Sequence, residues 1–156
     1  MLNLISSVSD NFRRDIPVAD ETYLNPTEAE AYDQGEWLVR DSSGNLERVG
    51  ADSVSDAMQI WTQKGDTAAQ AISKIAVIQL HEYEAETDMF EDGGAGFAPG
   101  TKLTVKTLSD VDGEDFRTGL TQAAAGEYVY GVVITDPDDN GGLIKYRRSP
   151  AYLWVS

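Results

Sequence analysis

Glu82-Tyr83-Glu84-Ala85-Glu86-Thr87-Asp88-Met89 is the stretch whose reading settles the fold class. Its carboxylates recur at every second position, and Tyr83, Ala85, Thr87 and Met89 fill the positions between them. A period of two puts the two sets on opposite faces of an extended strand, whereas a helix would scatter the carboxylates round its axis. The stretch therefore reads as a half-buried β-strand. Four like charges along one face repel one another, so a neighbouring element is expected to offset them.

The segments on either side carry the same kind of signal. Downstream, residues 93–100 (Gly93-Gly94-Ala95-Gly96-Phe97-Ala98-Pro99-Gly100) form an exposed loop, and Thr101-Lys102-Leu103-Thr104-Val105-Lys106 returns to strand. Residues 110–115 make an acidic turn. Residues 126–134 are strongly β, and Asp136-Pro137-Asp138-Asp139-Asn140-Gly141-Gly142 turns them into a strand over 143–147. Ala151-Tyr152-Leu153-Trp154-Val155 is a candidate last strand.

Upstream, residues 67–80 admit an amphipathic helix, but the β-branched run Ile75-Ala76-Val77-Ile78 favours a strand from about Ser73. Met58, Ile60 and Thr62 alternate with Gln59 and Trp61 in another strand. Residues 36–40 and 46–49 flank Asp41-Ser42-Ser43-Gly44-Asn45, which predicts a hairpin. Asn25-Pro26-Thr27-Glu28 predicts a short helix, capped by Asn25 or Thr27 and closed by Gly35. Many short strands separated by Gly, Asp and Asn turns give a mainly β chain, folded as a small barrel or sandwich over residues 25–156.

Residues 1–24 follow neither period. They read as a frayed terminus or as an extended N-terminal arm that orders against a neighbour. Phe12, Ile16, Val18, Tyr23 and Leu24 are the candidate anchors of such an arm, and Arg13-Arg14 is a basic spot within it. On this reading, deleting residues 1–20 leaves the domain folded. Residues 1–8 are too short for a membrane span and lack the basic region and longer apolar core of a signal peptide, so use in the cytoplasm, or assembly there, is expected.

The 156 residues include 27 acidic and 12 basic ones, for a formal net charge of −15. Binding nucleic acid requires clustered Lys and Arg against phosphate, and an anionic membrane makes the same demand; neither is an expected partner. A neutral or basic protein surface is. With no cysteine, disulfides and thiolate chemistry are excluded.

Catalytic equipment is sparse. His81 is the one histidine, among acidic neighbours and without a Gly-x-Ser-x-Gly elbow, so it reads as a surface or satisfied side chain. Carboxylate pairs abound, but none is singled out as a glycosidase pair. Asp136-x-Asp138-x-Asn140-Gly141 matches half of an EF-hand loop, yet Arg147 stands where the bidentate Glu belongs, and a hairpin turn explains the pattern. No phosphate loop is present, and neither a cofactor nor a metal is expected. Lys145 and Arg147 share one strand face, and Arg148 follows. This cluster is expected to pair with Glu82, Glu84, Glu86 and Asp88, within one chain or across a subunit boundary. Trp37, Trp61 and Trp154 are core residues or, alternatively, platforms for sugar rings.

Four blocks carry a family resemblance. They are Asn25-Pro26-Thr27-Glu28 with Gly35-Glu36-Trp37-Leu38; Ile60-Trp61-Thr62-Gln63-Lys64-Gly65-Asp66; residues 83–90 leading into Pro99-Gly100-Thr101-Lys102-Leu103-Thr104-Val105; and Gly126-Glu127-Tyr128-Val129-Tyr130-Gly131-Val132-Val133. Over roughly residues 25–148 the chain resembles the small head decoration, or cement, proteins of tailed bacteriophages. The resemblance implies a β-barrel or β-tulip domain on the capsid exterior, often trimeric. It would staple neighbouring major capsid proteins, with the N-terminal arm reaching across the surface. Residues 110–114 and 149–156 fit the pattern less well. A tail or baseplate β-module and a carbohydrate-binding β domain are the alternatives.

Overall fold

The computed structural model describes residues 1–7, 13–61 and 73–156, and it is mainly β. Its largest element is an antiparallel sheet of six strands. These are β1 (Leu2–Ser7), β7 (Tyr83–Thr87), β8 (Lys102–Thr107), β9 (Thr118–Gln122), β10 (Tyr128–Thr135) and β11 (Ile144–Leu153). Their spatial order is β1-β7-β11-β10-β8-β9. A two-stranded sheet pairs β2 (Arg13–Pro17) with β6 (Lys74–Ile78). A three-stranded sheet places β3 (Trp37–Arg40) between β4 (Leu46–Arg48) and β5 (Met58–Gln59).

The two small sheets touch at both sides through single bridges, Val18–Leu46 and Ile60–Val77. Ile16, Val18, Leu24, Tyr32, Leu38, Leu46, Ile60, Ile75 and Val77 fill the space they enclose. A second core, with Trp37, Ile78, Tyr83, Ala85, Leu103, Val105, Leu120, Tyr130 and Tyr146, lies against the six-stranded sheet. That sheet does not close into a barrel by a continuous ladder, and the arrangement is sandwich-like. Its curl is marked by the bridge Phe90–Leu120, where the chain leaving β7 meets β9.

Strands β3 and β6 stand between the two cores. Trp37 faces one and its neighbour Leu38 the other; Ile78 and Val77 divide in the same way. A strand buried on both faces has no polar side to show, which is why these two segments read as unbroken apolar runs. The β3–β4 hairpin forms as expected, with Asp41 Oδ1 accepting from the Ser43 and Asn45 amides and Gly44 at a φ of +84°. That left-handed backbone suits glycine. Thr62, and the helical alternative before Ser73, lie outside the described residues.

Three expectations change. The described strands of the expected arm, β1 and β2, are extended but do not stand apart from the domain: β1 pairs with β7 and β2 with β6. The helix expected from Asn25 does not form, residues 25–35 running through turns; a 3-10 turn, Glu21–Leu24, precedes them, capped by Asp20, whose carboxylate accepts from the Thr22 amide. Asn25 instead ends that turn and accepts from Thr27. The strands expected over 143–147 and 151–155 are one strand, β11, and the register against β10 slips between Arg148 and Tyr152. Pro150, which has no N–H to give to a ladder, lies in that slip.

Candidate functional site

The acidic stretch is β7, and its burial alternates as the sequence dictates: Tyr83, Ala85 and Thr87 are buried, Glu84 and Glu86 half-buried. Glu82 and Asp88 flank it and are exposed. β11 runs alongside, with Lys145 opposite Glu86 and Arg147 opposite Glu84. The Arg147 guanidinium donates twice to Glu84 Oε1, from Nη2 at 2.9 Å and Nε at 3.1 Å. Asn140 donates to Glu86 at 2.7 Å, and the Met1 amino group lies 2.5 Å from Asp88. The carboxylate row is therefore offset in part within the chain: Glu84 and Asp88 each hold a cation, Glu86 holds the neutral Asn140 amide, and among the described residues Lys145 forms no ion pair with it. Cross-strand pairs of this kind, largely open to solvent, contribute only about 0.2–1 kcal/mol each.

Arg148 does not join that row. Adjacent residues of a strand point to opposite faces, so Arg147 reaches solvent and Arg148 enters the core, 3% exposed. Its guanidinium lies over the rings of Tyr130, at 4.7 Å, and Trp37, at 5.5 Å. It also donates to the carbonyls of Tyr130 and Ser149. Among the described residues no carboxylate pairs with it, and burial pulls its pKa down from the ordinary arginine value. Beside it, Gln59 Oε1 accepts from both the Tyr83 and Tyr146 hydroxyls, and Gln59 Nε2 donates to the Gly35 carbonyl.

The proposed anchors of the arm divide in two. Ile16, Val18 and Leu24 are buried in the chain's own smaller core, so they are not free to seat on another protein. Tyr23 packs edge-on against Tyr32 at 5.6 Å. Arg13 and Arg14 are exposed on β2, with Arg13 3.2 Å from Asp15. Phe12 lies outside the described residues.

A cluster that no local pattern announces sits between the two cores. Glu36 is fully buried and accepts from Arg48 Nε at 3.0 Å, Arg117 Nη1 at 2.9 Å and the Asp33 amide at 2.7 Å. Arg117 also pairs with Glu114 at 2.5 Å. Burial lowers the Arg117 pKa, but Glu36 and Glu114 beside it outweigh that and leave it raised. Arg48 lies 4.9–5.2 Å from the ring centres of Tyr23, Tyr32 and Phe116. Such a network ties strands together rather than offering a reactive group.

His81 is exposed at the entry to β7. In the turn after β10, Asp136 accepts from the Asp138 amide, and Asn140 directs its amide donors to Glu86 and the Leu143 carbonyl. Among the described residues no three His, Asp or Glu side chains converge as ligands of a metal ion. Trp37 is fully buried and out of reach of a sugar, and Trp154 lies beneath the Lys102 ammonium at 4.7 Å. Among the described residues no helix is long and apolar enough to cross a membrane. Comparison with protein-family models, with curated proteins and with solved structures finds no match to this chain.

Proposed function

We propose that the chain is a structural virion protein that docks on the outside of a phage capsid and stabilises it by bridging major capsid proteins. The observation that carries the reading is where the resembling segments fall. Three of the four blocks lie on or beside strands of one β fold, at the β3–β4 hairpin, β7 with β8, and β10, while most of the block at 60–66 lies outside the described residues. The use of the polar side chains supports it. Glu36, Arg48, Arg117 and Arg148 are spent on internal ties, while the exterior is strongly acidic. A protein of this kind works by surface complementarity, and many weak contacts multiplied over a trimer give tight retention without a deep pocket.

The fold refines how docking works. The buried members of residues 1–24 hold the domain together, so contact with the capsid falls to exposed residues such as Arg13 and Arg14 and to the acidic surface. Purified protein is expected to sediment as a trimer and to bind undecorated heads saturably. Rings or tubes formed by the protein alone would instead favour a tail or baseplate module.

A further inference from the structure

At the end of the large sheet where β7 runs out and β10 turns into β11, the chain leaves a cleft of about 300 Å³. Phe90, Phe97 and Pro137 give it apolar walls, and Asp92, Asp136 and Asp138 stand round it. The two phenylalanines meet edge to face at 5.3 Å, and Phe97 is buried. Asp92 is fixed in place by three donors to Oδ1: the Gly94 amide at 2.7 Å, Gln122 Nε2 at 2.8 Å and the Gly96 amide at 3.1 Å. These bonds, the Gly94 amide foremost, hold its carboxyl below the usual range and keep it ionised.

No basic side chain lines the cleft, and among the described residues none pairs with Asp92, Asp136 or Asp138. Glu36, Glu84, Glu114 and Glu127, by contrast, each hold a cation of this chain. The same molecule displays what fits such a setting. Arg48 rests against Tyr23, Tyr32 and Phe116 while its guanidinium pairs with Glu36. An aromatic wall takes the flat guanidinium and the aliphatic stem, and a carboxylate takes the charge.

We propose that this cleft receives an arginine side chain of a partner protein, its stem against Phe90, Phe97 and Pro137 and its guanidinium among Asp92, Asp136 and Asp138. The assignment of that arginine to a partner rests on the docking reading above; the affinity of the cleft for arginine does not.

The test is an amide NMR titration of the full chain with Nα-acetyl-arginine methylamide, alongside the norleucine analogue, at low salt. Saturable shifts confined to Gly96, Phe97, Asp138 and Gly142 are expected with the arginine compound only. Asp138→Asn, at an exposed side chain with no bond to lose, is expected to weaken binding at least threefold. Shifts spread over the acidic surface without saturation, equal shifts with norleucine, or an unchanged Asp138→Asn would each overturn the proposal. A cleft that binds arginine while Asp138→Asn leaves capsid binding intact would contradict only the partner assignment. A silent cleft in a chain that still binds capsids would remove the cleft and spare the docking reading.

Discussion

Glu36 and Arg117, 81 residues apart in the chain, form an ion pair of 2.9 Å with both side chains almost wholly out of water. The pair joins the start of β3 to the start of β9, and so joins the smaller core to the larger sheet. Removing one partner leaves the other as an uncompensated buried charge, at a cost of about 3–5 kcal/mol. Glu36→Ala also strands Arg48. It is expected to lower the unfolding free energy by at least about 3 kcal/mol in a urea titration. A loss below about 1 kcal/mol would mean the network is not part of the folded state.

Arg147 and Arg148 are expected to behave as opposites. Arg147→Ala removes an exposed pair with Glu84 and should change stability by less than about 1 kcal/mol. Arg148→Ala empties the space between Trp37 and Tyr130 and should cost about 2–4 kcal/mol, in the range of large-to-small core replacements. Equal effects in thermal unfolding would contradict the facing of β11.

The contrast marks what was legible in the sequence. The alternation of residues 82–89 carries its own geometry, and of the three basic residues expected to offset it Arg147 alone pairs with the row. The same period of two, applied to Arg148, puts that residue on the face away from Arg147, so the signal was present. Nothing local announces Glu36 with Arg117, because the pair is made by tertiary closure across 81 positions. The aromatic cleft was hidden for the same reason, with Phe90 and Phe97 on one loop and Asp136 and Asp138 on another. Residues 1–24 misled because single apolar residues such as Ile16 and Val18 gain meaning only beside β6 and β4.

Truncation tests that correction. Deleting residues 1–20 strips β1 from β7 and β2 from β6, and takes Ile16 and Val18 out of the smaller core. The shortened chain is expected to lose its cooperative unfolding transition and its dispersed amide spectrum. A truncated chain that unfolds cooperatively near the parent midpoint would restore the free arm.

High pH should unfold the protein through its tyrosines. Burial pushes Tyr32, Tyr83 and Tyr130 up to about 12, and Tyr146 well above the ordinary value. A folded-state pKa above the unfolded value of about 10 means the folded chain holds the proton longer. The stability this gives is complete below about pH 10 and drains away as the pH rises towards 12. In an absorbance titration of tyrosinate, four of the seven tyrosines are expected to ionise late, together with loss of the fold. A single step near pH 10 for all seven would contradict their burial.

The most direct measurement is an image reconstruction of undecorated phage heads incubated with the purified chain. The proposed function requires added density at fixed positions on the capsid exterior, into which the two-core β fold fits, each copy touching more than one major capsid protein. Heads that stay bare at saturating protein, or density only at the tail, would contradict it.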